Sequence, residues 1–365
     1  MTDNRFTALS SYGQSIWIDF ISRDALASGE LARLVEEGVL GLTSNPAIFE
    51  QAIAKGKTYD ADISRMASAG AGVEEVYEAL ALADIRAAAD MLRPVYDRTA
   101  ALDGYVSLEV SPRLAHDTAG TIANGHRLWA AVERPNLMIK VPGTPEGSPA
   151  IRALIAAGIN VNVTLLFAQK AYEDAANAYI KGLEERAAAG LAVDRIASVA
   201  SFFVSRLDTV VDAWLVDQPD VERLRGKAGI ANTKLAYTRF QQIFAGPRWE
   251  KLAALGARVQ RPLWASTSAK DPRYPDTIYV DELIGPHTVN TAPPQTVSAF
   301  RDHGKVSETL TQDVEGARAA LAALTAAGLD MDQVTDDLLC AGLQAFTTAF
   351  DRLESGLKAK IAAVK

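Results

Sequence analysis

The sequence predicts an α/β fold: a single (β/α)8 TIM barrel with additional helices. Three observations carry this expectation. Eight short strand-like runs alternate with longer amphipathic stretches, and such alternation produces parallel βαβ units. Within the runs, polar residues recur at every second position, as in strands with two different faces. The chain has 365 residues, more than the ~250 of a typical barrel, which leaves room for extra helices. No Pro/Ser/Gly-rich linker divides it, so 1–365 reads as one domain with a C-terminal helical extension over about 313–365. An open doubly wound sheet is the alternative, but no Gly-x-Gly-x-x-Gly follows the first run.

The elements follow in order. Ser15–Phe20 reads as a strand with Trp17 and Asp19 on one face and Ile16, Ile18 and Phe20 on the other. Gly38–Asn45 places Thr43 with Asn45. A helical stretch, Val73–Asp97, leads to Tyr105–Val110, where Ser107 and Glu109 oppose Leu108 and Val110. Helix Arg113–Glu133 precedes Leu137–Pro142, where Met138 and Lys140 oppose Ile139 and Val141. In Asn160–Phe167, Asn162 and Thr164 oppose Val161, Val163 and Leu165. Helix Ala168–Ala189, strand Ile196–Phe203 (Ser201 with Phe203) and helix Gly229–Ala245 come next. Strands Pro262–Thr267 and His287–Asn290 complete the eight, and Asp313–Ala326 and Met331–Ala362 read as closing helices.

In a barrel the outer strand face meets helices, so the polar set points inward, near the C-terminal ends where barrel enzymes build their sites. A buried Asn or Ser alone is ordinarily hydrogen-bonded core. Asp19, Glu109 and Lys140 in one core are harder to explain, because buried charges are costly unless they pair. An ordinary lysine titrates near ~10.4, so only about one in a few thousand is neutral at pH 7. Burial disfavours the ammonium form, and a neutral buried amine can form a Schiff base with a carbonyl. The plainer readings of Lys140 are a snorkelling side chain or a simple buried ion pair.

Composition narrows the classes. The chain is 48% hydrophobic and 22% charged, with a formal net charge of −8 and a pI near 5.2. Without a basic stripe, nucleic acid is not an expected partner. One cysteine excludes a disulfide framework and fits a reducing, cytoplasmic compartment. That residue, Cys340, falls in an apolar helical stretch and reads as a core thiol. His116, His126, His287 and His303 lack metal-ligand spacing, so no metal is expected. Met1–Arg5 carries no apolar signal segment, and no apolar run is long enough for a membrane span.

The chain resembles the transaldolases, in particular the longer bacterial form. The likeness lies in Gly41-Leu-Thr-Ser-Asn-Pro-Ala-Ile-Phe49 and Leu137-Met-Ile-Lys-Val-Pro142. It extends to Asn162-Val-Thr-Leu-Leu-Phe167, Ser201-Phe-Phe-Val-Ser-Arg206, Trp264-Ala-Ser-Thr267 and Thr288-Val-Asn-Thr291. The resemblance implies reversible transfer of a dihydroxyacetone unit from sedoheptulose 7-phosphate to glyceraldehyde 3-phosphate, in the non-oxidative pentose phosphate pathway. It implies sugar phosphates as partners and no cofactor. Lys140 would be the Schiff-base lysine, Glu109 an acid working through a water held with Thr164, and Asp19 the base at the C4 hydroxyl. Asn45, Asn162 and Ser201 would hold hydroxyls, and Phe203 would limit water access. Arg206 and Ser266 match phosphate contacts. An arginine common in the family is here Ser268, and Lys270 is the expected substitute, against the plainer reading of a solvated loop lysine. Two rivals stand beside this reading: an aldolase releasing free dihydroxyacetone, and a catalytically silent barrel. The C-terminal helices could close the barrel or form a homodimer face.

Overall fold

Eight parallel strands close into a barrel in chain order, β1 (Gln14–Asp19) pairing with both β2 (Leu42–Thr43) and β8 (Thr288–Ala292). Between them run β3 (Val106–Glu109), β4 (Leu137–Pro142), β5 (Val161–Leu166), β6 (Ser198–Phe203) and β7 (Arg261–Ala265). The structure, a computed structural model, describes residues 4–218 and 222–363. Met1–Asp3 of the leading segment and the last two residues of the expected C-terminal extension lie outside the described residues. Each expected strand-like run overlaps one of the eight strands; β1 and β7 begin one residue earlier than expected and β8 ends two residues later.

Two elements are shorter than the sequence suggests, for local reasons. β2 ends early because Asn45 leaves the strand to cap helix Pro46–Phe49, accepting from Ile48 N at 3.1 Å. The helix expected from Arg113 starts at Thr118. Pro112–Leu114 forms a single 3-10 turn, and Asp117 caps Thr118–Val132 by accepting from Gly120 N at 2.9 Å.

The two strand faces build two cores. Ile16, Ile18, Leu108, Ile139, Val141, Val161 and Val163 pack outward under the helices. Trp17, Met138, Val199, Leu263 and Val289 belong to the inner set that fills the barrel. Leu165 departs from the expected alternation. The register shifts between Val163 and Leu166, and Leu165 takes a φ of +60°. This bulge re-aims its side chain away from the valines' cluster into the inner one.

Bulged Leu165 meets the last helix, Met331–Ala362: a Cβ on Gly342 would lie 2.9 Å from it and 3.6 Å from Arg206 Nη1. The helix therefore crosses the mouth of the barrel, and the missing Cβ of Gly342 lets it pass close over Leu165. Its buried face runs through Leu338, Gly342, Leu343 and Phe346. Cys340 is exposed, which corrects the core-thiol expectation. It stands two residues, or about 200° of helix rotation, from Leu338. Among the described residues no helix is long and apolar enough to cross a membrane.

Candidate active site

Strand register brings the chemistry together. Glu109 on β3 pairs with Lys140 on β4, which pairs with Asn162 on β5. Lys140 is 4% exposed. Its Nζ donates to Ser44 O at 3.0 Å and lies 3.7 Å from Glu109 Oε2. The Phe346 ring centre, on the C-terminal helix, is 5.7 Å from the same atom. Ser44 is itself fixed, its Oγ donating to Ser107 O at 2.7 Å.

Glu109 is the most unusual group in the molecule. Its side chain is 5% exposed, yet neither carboxyl oxygen has a hydrogen-bond partner in the protein, and the same holds for buried Thr164 Oγ1. Burial pushes its pKa up to about 7; the Lys140 ammonium pulls it down and the charge of Asp19 pushes it up. A carboxyl with that pKa can give and accept protons near neutrality. Buried polar atoms without protein partners are the places where water bridges.

On the neighbouring strands β2 and β1, Thr43 Oγ1 donates to Asp19 Oδ1 at 2.7 Å, and it lies 2.8 Å from Thr291 Oγ1 of β8. Asn162 is fully buried: its amide donates to Ser107 Oγ at 2.9 Å, and its carbonyl accepts from Ser201 Oγ at 2.7 Å. Asn45, Lys140, Thr164, Ser201, Phe203 and Asp19 line one cavity of about 290 Å³. Glu109 and Asn162 do not line it and stand behind its first layer of side chains.

At the rim of the same cavity two cations converge. Arg206 follows β6, and its guanidinium sits 5.2 Å from the Phe203 ring centre. Lys270 follows β7, and its Nζ donates to Ser268 Oγ at 2.5 Å. Burial lowers the pKa of each, and the charge of Arg206 lowers that of Lys270 further, while Asp19 raises both. No carboxylate lies within ion-pair distance of either among the described residues. Ser266, at a φ of +54°, brings its Oγ to 2.9 Å from Ser205 Oγ beside Arg206. Two cations held together without an acid between them form a pocket for an anion.

Three contributors went unassigned in the sequence reading. Thr43 and Ser107 sit on the polar strand faces, and the alternation could have promoted them. Phe346 had no signal, since it reaches Lys140 only through the path of a distant helix. Among the described residues no group of three or more His, Cys, Asp or Glu could hold a metal ion.

A parallel barrel presenting a buried amine, two carboxyls and a cationic rim at one end defines an enzyme built to handle a carbonyl compound bearing an anionic group. The family model described as Transaldolase/Fructose-6-phosphate aldolase matches residues 16–357, and the chain belongs to this family. It is 52% identical to a transaldolase of Parafrankia sp. (strain EAN1pec), over 94% of this chain and 95% of that one. It is 48% identical to a "Transaldolase 2" of Nostoc punctiforme, over 99% and 98% of the two chains. A transaldolase of Thermobifida fusca is 47% identical over 97% and 98%.

Proposed function

We infer that this chain acts as a transaldolase, reversibly transferring a dihydroxyacetone unit from sedoheptulose 7-phosphate to glyceraldehyde 3-phosphate to give erythrose 4-phosphate and fructose 6-phosphate. The observation that carries the reading is the buried Lys140 amine 3.7 Å from a carboxyl without hydrogen bonds, in a cavity with a cationic rim. In this mechanism neutral Lys140 adds to the ketose C2 carbonyl. Protonated Glu109, through a water held with Thr164, delivers its proton to the carbinolamine hydroxyl. The C2–O bond breaks, water leaves and the nitrogen lone pair forms the iminium. Asp19 then takes the C4 hydroxyl proton, C3–C4 breaks, and the electron pair is stored as an enamine. An incoming aldehyde reverses these steps, and Asp19 returns its proton to the new hydroxyl.

Asn45 and Ser201 hold the hydroxyls of the waiting three-carbon unit, and Asn162, one layer behind, orients Ser201 by accepting from its Oγ. Phe203, packed on Phe167 at 5.2 Å, limits water beside the enamine. Arg206, Ser266 and Lys270 receive the phosphate, with Lys270 supplying the charge that Ser268 lacks. Barrel and C-terminal helices work as one domain, since Phe346 of the last helix lines the barrel's cavity beside Lys140. We place the enzyme in the cytoplasm, where its exposed thiol stays reduced; sedimentation reads directly whether two copies pair through the C-terminal helices.

The aldolase reading differs only in the fate of the enamine. Relatives named transaldolase at 47–52% identity favour transfer. The test is consumption of fructose 6-phosphate with and without erythrose 4-phosphate. Transfer requires strong acceptor dependence; equal rates with free dihydroxyacetone as product would establish an aldolase instead.

A further inference from the structure

A second cavity, of about 220 Å³, lies on the far side of Glu109 from the sugar. It is bounded by the helix before β3 (Val73–Arg98), the helix after it (Thr118–Val132) and Phe350 of the C-terminal helix. Glu109 lines this cleft and not the sugar cavity, whereas Lys140 and Thr164 line the sugar cavity and not the cleft. Asn45 lines both. The Lys140–Glu109 pair therefore spans a partition one side chain thick.

The cleft is not a greasy gap. At its outer edge Arg127 pairs with Glu78. Deeper in, Tyr77 is held edge-on between Phe49 and Phe350, with ring centres at 6.1 and 5.4 Å. Burial and the charges of Glu109 and Glu78 hold its phenol above the ordinary range, so it stays protonated and able to donate. Beyond it are the two buried Glu109 oxygens that no protein group satisfies.

The proposed chemistry gives this arrangement a use. The proton for the carbinolamine hydroxyl comes from Glu109 by way of the water held with Thr164, so the departing water forms at the partition between the two cavities. At that moment the ketose fills the sugar cavity and its phosphate sits on the rim cations. We propose that the cleft behind Glu109 is a separate water passage: water lost in iminium formation leaves past Tyr77, and water for hydrolysis enters the same way. Loss of water breaks C2–O and consumes the Glu109 proton; hydrolysis forms C2–O and returns it. Only the water crosses the partition. Asn45 and Phe350 frame the passage, and the Tyr77 hydroxyl holds water along it.

The inference rests on the Schiff-base reading above, and an isotope experiment separates the two. Fructose 6-phosphate carrying 18O at C2 is incubated with the enzyme, and loss of label to bulk water is followed by mass spectrometry, corrected for enzyme-free exchange. Transfer to an aldose phosphate is measured in parallel. If departing water escapes through the cleft, Ala81→Leu, which narrows it, lowers wash-out relative to transfer several-fold, because retained water re-adds to the iminium. Tyr77→Phe, which keeps the shape, lowers the same ratio by less. An unchanged ratio in a folded Tyr77→Phe and Ala81→Leu overturns the passage, and if Ala81→Leu fails to fold, an unchanged ratio in Tyr77→Phe does so alone. Absence of a borohydride-stabilised adduct in the unaltered enzyme overturns the Schiff-base reading instead.

Discussion

Two buried ion pairs close the two ends of this barrel, and they are treated in opposite ways. At the lower end Arg261 and Asp103 meet at 3.0 Å, with side chains 7% and 3% exposed. Arg261 also donates to Leu102 O, Ser15 Oγ and Thr288 O, at 3.0, 2.6 and 2.8 Å. Asp103 accepts from Ser15 Oγ at 2.8 Å and Trp17 Nε1 at 2.9 Å. At the upper end Lys140 and Glu109 are as deeply buried, at 6% and 5%, but stand 3.7 Å apart, and both glutamate oxygens lack hydrogen bonds. A saturated pair is fixed in one protonation state and holds the strands together. An unsaturated one keeps its protons movable. Leaving Glu109 unsatisfied is costly, and it is the cost expected if the group serves the proposed chemistry.

Substitutions should split along this line. Lys140→Met removes the nucleophile, and transfer should fall by about 10⁴-fold or more. Thermal melting should show no large loss of stability, because Glu109, whose pKa is already raised to about 7, takes up a proton once its cation is gone. Glu109→Gln keeps the shape but cannot shuttle protons, so kcat should drop by about 10²–10⁴-fold in steady-state assays. Arg261→Met should do the reverse. Stranding Asp103 without its cation should cost about 3–5 kcal/mol in denaturant titration, while kcat per folded molecule stays close to that of the unaltered enzyme. A large kcat loss there, with stability intact, would erase the contrast.

Smaller effects sharpen it. Lys270→Ala should raise KM for fructose 6-phosphate by about tenfold, the weight of one charge-assisted contact, with kcat nearly unchanged; an unaltered KM removes Lys270 from the phosphate pocket. Because burial and Arg206 lower the Lys270 pKa, its charge is lost at lower pH than an ordinary lysine's. KM should therefore climb early on the alkaline side, and Lys270→Arg should delay the climb. Glu109 gives the smallest effect and has a definite sign. Its pKa is raised in the folded state to about 7, so the folded state binds more protons than the unfolded one between the ordinary glutamate range and that value. Stability from this group is present at low pH and declines as pH rises through about 7. Glu109→Gln should flatten that decline in melting curves taken across the window.

The two ends were not equally readable from sequence. Lys140, Glu109, Asp19 and Asn162 sit on strands, where period-two alternation assigns a face without any knowledge of neighbours. That rule located the inward amine and its acids before any contact was known. It failed at Leu165, because a bulge adds a residue that alternation does not count. It had no purchase on Arg261–Asp103, since Asp103 lies in the turn before β3 and its partner is 158 residues away. Phe346 and Tyr77 were hidden for a similar reason: helical periodicity says which face is buried, not which cavity that face meets. Cys340 shows the limit from the other side, as an apolar neighbourhood in sequence spans every face of a helix.

Every proposed step at this site requires that Lys140 bond covalently to the ketose. The direct measurement is borohydride reduction in the presence of fructose 6-phosphate, followed by intact-mass and peptide mass spectrometry. One increment, equal to the reduced dihydroxyacetone or hexose phosphate adduct and mapped to Lys140, is the predicted result. It should be absent in Lys140→Met and retained in Arg261→Met. An unmodified Lys140, or an increment on another lysine, would contradict the claim that the unsaturated end of the barrel is the reactive one.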